Sequence, residues 1–492
     1  MLQNLAYGFS LVFQPFTFAL MVFGTAIGVV IGALPGLTAS MGIILLLPLV
    51  YRLPANVSLV MLCGLFCGGM YGGSISAILL NTPGTPSASA TVLDGYPLNR
   101  QGKAGKALGI ATIASFGGGL ISTACLIVIA PQLAKVALSF QAADYFSLSI
   151  FGLSIMASSS GKNVVKGLIA GCIGLLVSCV GIDTIVGVNR LTFNNMYLAG
   201  GFSLLPVLIG VFAVSEVLKQ VQTSHEERPV TIQAVTDILP TWTEIKGVIP
   251  AILVGGVIGV FIGIVPGTGG AIACFLAWNV VSKFDKEGHK FGTGVLAGVA
   301  APESANNATT GGALIPMLCL GVPGDVVTSV MLGALVLIGV RPGPLLFIEN
   351  IDVVYSIFAG MVIIQFLMLG FGLLSSRYSP AILKIPDTLL MPVIMVLCVV
   401  GAFCLNNSLY DVTVALVFGI LGFFMKRWGY PGAPLVLGVI LGPMAEENLN
   451  RALLVSNNNW AVLVQRPISL TFLLLSALSI GLALYNVKKK EA

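Results

Sequence analysis

Apolar runs about as long as a membrane-spanning helix recur along the whole chain, and short polar loops separate them. A helix needs about 20 mostly apolar residues to cross the hydrocarbon core of a bilayer. The pattern therefore predicts an all-α polytopic membrane protein. The clearest runs are residues 107–130, 166–187, 198–218, 353–374, 388–404 and 467–485.

Short stretches rich in Pro, Gly and small polar residues interrupt the apolar sequence. They are PGLTAS (35–40), NTPGTPSAS (81–89), PGTGGA (266–271) and GVPGD (321–325), and APESANNATTGG (301–312) precedes the last of them. Such breaks are tolerated at membrane depth only where protein or a water-filled cavity satisfies the freed backbone groups. We therefore expect them inside the protein, as broken helices and the tips of re-entrant hairpins.

The two halves of the chain repeat the same spacing of Gly and Pro. GVVIGALPGLTAS in the first half corresponds to GVFIGIVPGTGGA in the second, and GGSISAILLNTPG at 72–84 corresponds to GALIPMLCLGVPG at 312–324. Two matched Pro-Gly segments in the same order predict an internal duplication. We expect a first transmembrane repeat over 1–218, a polar connector over 219–246, and a second repeat with C-terminal helices over 247–492.

The Lys and Arg residues in the loops predict that the two repeats are inverted in the membrane. Residues 94–106 and 283–290 are rich in Lys and Arg, whereas 51–57 and 341–352 are poor in them. Positively charged residues concentrate in cytoplasmic loops. We therefore expect the first two loops and the connector to be cytoplasmic, and the other two loops and the N-terminus to lie outside.

Composition limits the classes of function. Hydrophobic residues make up 57% of the 492 residues and charged residues only 9%, too few to cover the surface of a soluble protein. The sequence has no P-loop for a nucleotide and no H-E-x-x-H zinc motif, and its two histidines lie in polar stretches. The nine cysteines lie mostly in apolar runs, as packing residues do. We expect neither an enzyme nor a bound cofactor.

Paired breaks at matching positions of two inverted halves point to the central site of a secondary transporter. The N-terminus of a half-helix offers free N–H groups and a positive dipole to an anion, and carbonyl groups at half-helix C-termini coordinate Na⁺. The candidate substrate-binding residues are Thr38, Ser40, Asn81, Thr82, Thr85, Thr268, Gly269, Asn306, Asn307 and Thr310. The candidate cation-binding residues, with Na⁺ as the metal ion, are Pro35, Gly36, Asn81, Gly84, Gly267, Glu303, Asn306, Gly324 and Asp325.

Some of these positions also have a structural explanation. The GxxxG pairs at Gly28/Gly32 and Gly259/Gly263 are typical of close helix packing. Asn81 and Thr82 could cap a helix end, and Asp325 could cap the half-helix that follows it. Glu303 could lie at an aqueous rim instead of in the centre.

Three stretches are long and unusual enough to suggest a family: YGGSISAILLNTPGTPSASATVLDGYPLNRQGKAGKALG, GIVPGTGG and APESANNATTGGALIPMLCLGVPGD. They resemble the large membrane subunit of the tripartite tricarboxylate transporters, the TctA family, and the likeness runs essentially end to end. The resemblance implies an elevator-type secondary transporter in a bacterial inner membrane, coupled to Na⁺ or H⁺. It also implies two partners, a small TctB-like membrane subunit and a periplasmic TctC-like protein that delivers a carboxylate such as citrate.

Two other classes of function remain to be weighed against a carrier. A passive channel or permease for organic anions would have a continuous polar lining, whereas polar residues here are confined to short breaks. A membrane enzyme would need a nucleophile paired with a base, and the sequence shows no such pair. The residues therefore favour the carrier.

Overall fold

The computed structural model describes residues 1–158, 164–183, 187–223, 235–267, 269–383 and 387–491. Most of these residues are helical, which confirms the all-α polytopic fold. The first half forms α1 (Leu2–Val12), α2 (Pro15–Ala33), α3 (Ala39–Val50), α4 (Ala55–Leu80), α5 (Ser89–Arg100), α6 (Ala104–Ala137), α7 (Ala142–Ser158), α8 (Val164–Ser178), α9 (Met196–Ala199), α10 (Leu204–Leu208) and α11 (Ser215–Thr223). The second half forms α12 (Trp242–Ile264), α13 (Gly269–Val281), α14 (Leu296–Leu320), α15 (Val326–Leu337), α16 (Leu346–Glu349), α17 (Ile351–Ile382), α18 (Asp387–Asn406), α19 (Leu409–Arg427), α20 (Gly432–Val455), α21 (Val462–Gln465) and α22 (Pro467–Glu491).

In the described part of the chain, seven helices are long and apolar enough to cross a membrane. They are Pro15–Ala33, Ala55–Leu80, Ala104–Ala137, Leu204–Gln222, Trp242–Ile264, Ile351–Ala381 and Leu409–Arg427. The span at Leu204–Gln222 includes a π-helical segment, Ile209–Val214, between α10 and α11.

The apolar run 166–187 does not form one helix, so that part of the hydropathy pattern overstated the helical length. α8 ends at Ser178, and a short strand β1 (Gly181–Ile182) then pairs in antiparallel fashion with β2 (Asn189–Arg190). Gly181 has a φ of 125°, which lies outside helical geometry and turns the chain into the strand. Residues 184–186 lie outside the described part.

The chain forms two compact units. Unit 1 contains Met1–Ala134 and Thr223–Leu390, and unit 2 contains Lys135–Gln222 and Met391–Ala492. Each half of the sequence contributes to both units, so the units divide the chain differently from the predicted repeats. Both ends of the predicted connector 219–246 are helical, because α11 extends to Thr223 and α12 begins at Trp242.

Unit 1 contains the same series of elements twice. The first series begins with the long helix α2, a break and the short helix α3. It continues with the long helix α4, a second break and the short helix α5. The second half repeats this order with α12, α13, α14 and α15. The breaks at 34–38, 81–85, 265–267 and 321–325 lie where the Pro-Gly segments predict them.

The GxxxG glycines pack helices in the same way in both repeats. A Cβ added to Gly28 of α2 would lie 2.5 Å from the carbonyl oxygen of Leu65 on α4. A Cβ added to Gly263 of α12 would lie 2.9 Å from the carbonyl oxygen of Thr309 on α14. Only glycine permits so close an approach of two backbones, which confirms the packing explanation for these residues.

The long helices α4 and α14 cross antiparallel to each other. Asn306 Nδ2 donates a 3.0 Å hydrogen bond to the carbonyl oxygen of Met70, and Cys67 Sγ lies 3.6 Å from Thr310 Oγ1. Residue numbers therefore rise along α14 as they fall along α4. This antiparallel crossing is the relationship expected of an inverted repeat.

Unit 2 contains all of α7 to α10, most of α11 and α18, and all of α19 to α22. Its helices are joined by ion pairs between distant parts of the sequence. Arg466 holds the fully buried carboxylate of Asp144 at 2.7 Å, and Lys426 lies 2.6 Å from Glu216. Arg190, on β2, pairs with Glu446 of α20.

Candidate functional site

The candidate site lies in unit 1, where four short helices begin. α3, α5, α13 and α15 contain 12, 12, 13 and 12 residues. At 1.5 Å per residue each is about 18 Å long, so none could cross a hydrocarbon core of about 30 Å. They are half-helices, and each follows one of the Pro-Gly breaks.

Two of these half-helices, α3 and α13, begin beside the middle of α4. A Cβ added to Gly69 would lie 2.8 Å from the Cβ of Ala39, the first residue of α3. A Cβ added to Gly270 of α13 would lie 3.3 Å from Met70 Cε and 2.6 Å from Ser87 Oγ. Ser87 belongs to the 3₁₀ turn Pro86–Ala88 that leads into α5, so α5 begins at the same place.

The breaks before α5 and α15 fold back on the helices that precede them. A Cβ added to Gly84 would lie 2.9 Å from Gly73 Cα, and one added to Gly324 would lie 2.6 Å from Ala313 Cα. These contacts are equivalent in the two repeats. The N-termini of the half-helices therefore lie against the middle parts of α4 and α14, and their N–H groups and positive dipole ends favour an anion there.

Backbone hydrogen bonds hold the breaks in place. The N–H of Gly84 donates to the carbonyl oxygen of Gly73 at 3.3 Å, and the N–H of Gly267 donates to that of Gly324 at 2.7 Å. The second bond joins the two breaks of the second repeat directly. Gly36 and Gly267, next to Pro35 and Pro266, have φ values of 85° and 78°, which glycine adopts without strain.

Three fully or almost fully buried side chains, two on α14 and one in the break before α5, have polar atoms without a hydrogen-bond partner in the described part of the protein. Both amide atoms of Asn307, Nδ2 and Oδ1, lack a partner. The same is true of Oδ1 of Asn306 and of Oγ1 of Thr85. Asn306 and Asn307 are 0% exposed and Thr85 is 4% exposed. A buried polar group without a partner costs free energy, so such a group needs a functional explanation.

Glu303 lies in the interior of unit 1, and the aqueous-rim alternative is wrong. Its side chain is 0% exposed, because α14 is buried along almost its whole length. Thr91 of α5 donates a hydrogen bond to Oε1, and Ser115 of α6 donates one of 3.1 Å to Oε2. Glu303 stands one turn before Asn306 and Asn307, so the carboxyl and the amides lie on adjoining turns.

Other predicted site residues have local partners. Thr38 Oγ1 caps α3 by accepting from the N–H of Met41 at 3.4 Å, and it lies 2.8 Å from Ser40 Oγ. Thr310 Oγ1 donates to the carbonyl oxygen of Asn307 at 2.7 Å. Gly269 has a φ of 70° and open space where a Cβ would point, while Thr268 lies outside the described residues.

Two of the capping alternatives are confirmed. Asn81 ends α4 in the left-handed conformation with a φ of 57°, as Gly321 ends α14 with a φ of 69°. Asp325 Oδ1 accepts from the N–H of Thr328 at 2.7 Å and caps α15. Asn81 and Thr82 are both exposed, unlike Asn306 and Asn307, so the structure does not bring them into the buried group.

The sequence did not point to several residues that support the site. Thr91 and Ser115 hold Glu303, although each looks like an ordinary small residue in a helix. Asp94 is also fully buried, and its carboxylate accepts bonds from the stretch 292–295 and from Trp278. Asp94 lies within the conspicuous stretch TVLDGYPL, which is the signal that could have found it.

Comparison with known proteins gives the family. The tripartite tricarboxylate transporter TctA family matches residues 18–437. An Agrobacterium vitis protein described as an uncharacterized 52.8 kDa protein in the TAR-I ttuC' 3'region is 36% identical over 483 residues, covering 98% of this chain and 95% of the relative. An uncharacterized protein in the TAR-II ttuC' 3'region of the same organism is 37% identical over 226 residues, covering 46% of this chain and 93% of the relative.

No solved structure matches the chain. The family is one of transporters and not a class of enzymes, and the apolar helices agree with a multi-pass membrane protein. The chain belongs to the tripartite tricarboxylate transporter TctA family.

Proposed function

We propose that this chain is the large membrane subunit of a cation-coupled secondary transporter that takes up carboxylates, such as citrate, across a bacterial inner membrane. A periplasmic TctC-like protein would deliver the substrate, and a small TctB-like membrane subunit would complete the transporter. The observation that carries the proposal is the set of buried polar atoms without partners on Asn306 and Asn307 of α14 and on Thr85 in the break before α5, in the unit where the half-helices begin against α4 and α14.

The chemistry of this group suits a carboxylate. Half-helix N-termini offer N–H donors and positive dipole ends, and the Asn307 amide offers a further donor at Nδ2. No Lys or Arg lies within α4 or α14, the two helices against which the half-helices begin. We therefore infer that neutral donors, together with a bound cation, offset the charge of the substrate.

The cation would use hard oxygen ligands. The Oδ1 atoms of Asn306 and Asn307 and Oγ1 of Thr85 are buried oxygens without a hydrogen-bond partner in the described residues, and amide and hydroxyl oxygens suit small hard cations. Glu303 supplies a carboxyl group on an adjoining turn. We name Na⁺ as the coupling ion to be tested first and H⁺ as the alternative.

The alternative function is a passive channel or permease for organic anions. The buried polar group is enclosed by α4 and α14, which are buried along almost their whole length, and a continuous polar lining would need polar positions along these helices. The polar residues of α14 are instead concentrated between Glu303 and Thr310. This concentration favours one binding site over an open pore.

Uptake into proteoliposomes tests the proposal. The chain is reconstituted with the small membrane subunit, the binding protein is added outside, and labelled citrate, succinate and acetate are offered with and without an imposed Na⁺ gradient. We expect saturable accumulation of at least one di- or tricarboxylate against its gradient. Flux that only equilibrates would support the channel, and the absence of any carboxylate flux would contradict both.

A further inference from the structure

We propose that Asp94 is a positioning residue of the candidate site. Its carboxylate fixes the half-helices α5 and α13 to the start of α14, and so sets the spacing of the polar groups that these three elements bring together. The inference rests on the proposed function, because it assigns Asp94 a role in holding the carboxylate-binding group in shape.

The side chain of Asp94 is fully buried and both of its oxygens are used. Oδ1 accepts backbone N–H bonds from Gly292, Gly294 and Val295 at 2.9, 3.0 and 2.9 Å. Oδ2 accepts a 2.8 Å bond from Trp278 Nε1 on α13. Within the described residues no Lys or Arg pairs with this carboxylate, so backbone and indole N–H groups hold its charge.

The backbone from 292 to 295 is shaped to receive a carboxylate. Gly292 and Gly294 have φ values of 89° and 107°, and three of the four N–H groups of this stretch donate to one oxygen, while that of Thr293 donates to the carbonyl oxygen of Lys290. Val295 is the N-cap of α14 and no side chain of its own caps the helix. Asp94 therefore caps α14 from another helix, where a negative charge is favoured.

A glycine on α14 makes this close contact possible. A Cβ added to Gly298 would lie 3.1 Å from Asp94 Cβ and closer still to its carboxylate. Trp278 is held in turn by Phe291, whose ring lies 5.4 Å away in an edge-to-face arrangement. Gln101 adds a 2.8 Å bond from its Nε2 to the carbonyl oxygen of Thr293, so α5 and this stretch meet at two residues.

The contact at Asp94 determines where the site residues lie. Along α5, Thr91 bonds to Glu303 of α14 one turn before Asp94 bonds to the start of the same helix. Along α13, Gly270 packs on Ser87 before Trp278 bonds to Asp94. α5 and α13 are thus each held by contacts at two points along their length. Two contacts fix the position of a helix along its neighbour, which one contact would not do.

The second repeat has no equivalent of this carboxylate. If Gly84 is matched with Gly324 and Thr85 with Asp325, the position of Asp94 is occupied by Ala334 of α15. In the described residues no side-chain hydrogen bond joins α15 to α3, the half-helices equivalent to α5 and α13. The four-bond link is therefore specific to one pair of half-helices, as a residue with a particular positioning role would be.

Asp94→Ala and Trp278→Phe test the proposal in the reconstituted transporter. Asp94→Ala removes the whole link, whereas Trp278→Phe removes one donor and keeps a ring against Phe291. We expect the half-saturating concentration of citrate to rise several-fold in Trp278→Phe, because the link between α5, α13 and α14 loses one of its four bonds, and to rise further in Asp94→Ala. Hydrogen exchange should accelerate in 269–281 and 292–298 and stay unchanged in 39–50.

Asp144→Asn is the matched control. Asp144 is also a fully buried carboxylate, but it pairs with Arg466 in unit 2. We expect this variant to melt at a lower temperature. Its half-saturating concentration of citrate should equal that of the parent. A positioning role is thereby separated from a general loss of stability.

The outcomes distinguish a failure of the positioning role from a failure of the proposed function. If the parent transports citrate and both variants at Asp94 and Trp278 match its half-saturating concentration, the positioning role is overturned and the proposed function stands. If exchange in 292–298 is unchanged in Asp94→Ala, the link itself is overturned. If the parent transports no carboxylate, the proposed function fails, and this inference fails with it.

Discussion

The backbone N–H of Gly267 donates a 2.7 Å hydrogen bond to the carbonyl oxygen of Gly324, and this bond joins the two breaks of the second repeat. The residues are 57 positions apart (324 − 267) and belong to different Pro-Gly segments. A bond of this kind needs two backbones without side chains between them. The breaks are therefore packed parts of the protein interior, and substitution at their glycines has a defined structural cost.

Gly84→Ala and Gly324→Ala should destabilise the protein. A Cβ at Gly84 would press on Gly73 Cα, and one at Gly324 would press on Ala313 and on the carbonyl oxygen of Gly263 at 2.7 Å. Overpacking against backbone costs about 1–3 kcal/mol, so we expect a lower melting temperature and little transport. Gly370→Ala is the control, because a Cβ there meets nothing within 4 Å. Melting of Gly324→Ala at the parental temperature would contradict the packing account.

Asn81→Gly and Asn81→Ala together separate capping from substrate binding. Asn81 has a φ of 57° at the position where the second repeat has Gly321. Glycine adopts this conformation freely, whereas alanine there costs about 1–2 kcal/mol. If Asn81 only ends the helix, Asn81→Gly should transport like the parent and Asn81→Ala should be less stable. Higher half-saturating substrate in both variants would instead restore Asn81 as a ligand.

The repeated series of elements is visible in the sequence because it depends on glycines that no other residue can replace. Gly28 and Gly263 stand where two backbones touch, and Gly36 and Gly267 stand where φ is positive, so both features leave glycine in matching positions. The half-helices were predictable for the same reason. Their boundaries follow the Pro-Gly segments that no long helix can contain.

The supporting contacts of the site were not predictable, because they join the two repeats. Thr91 and Ser115 lie in the first half and bond to Glu303 in the second, and nothing local to either residue indicates that partner. Asn81 and Asn307 look alike as asparagines near a break, yet one is exposed and the other is fully buried. Burial of this kind depends on which helix packs alongside, which composition and spacing do not encode.

The positions of the loops in unit 1 predict which cysteines, introduced one at a time, lie on the same side of the membrane. Gln101 and Thr293 are hydrogen-bonded, so the loop after α5 and the stretch before α14 lie at one end of unit 1. The predicted inverted repeat places Leu345 at the other end. In a Cys172→Ser background, which removes an exposed thiol, Gln101→Cys should be protected from an impermeant reagent added outside, whereas Leu345→Cys should react. Equal labelling of the two would contradict the inverted topology.

Asn307→Leu should make the protein no less stable while it impairs transport. Neither amide atom of Asn307 has a partner in the described residues, so a leucine of similar size loses no hydrogen bond and removes a buried polar group. We expect an unchanged or higher melting temperature. A ligand that depends on this amide loses about 1–3 kcal/mol, so half-saturating substrate or Na⁺ should rise about 5- to 150-fold. Lower stability with normal transport would show that the amide is structural.

Glu303→Gln tests which carboxyl group assists the cation. Asp325 is engaged as the cap of α15. Glu303 is buried one turn before Asn306 and Asn307, whose Oδ1 atoms have no partner in the described residues, and a hydroxyl group donates to each of its carboxylate oxygens. Glutamine keeps the size of the side chain and loses its charge. The variant should therefore fold, and its half-saturating concentration of Na⁺ should rise about tenfold or more, as the loss of a contact to a charged group implies.

Asp325→Asn is the control, because asparagine also caps helices well, and it should keep the parental Na⁺ dependence. A Na⁺ dependence that moves in Asp325→Asn and not in Glu303→Gln would transfer the role to Asp325, and a parent whose uptake ignores Na⁺ would exclude Na⁺ as the coupling ion.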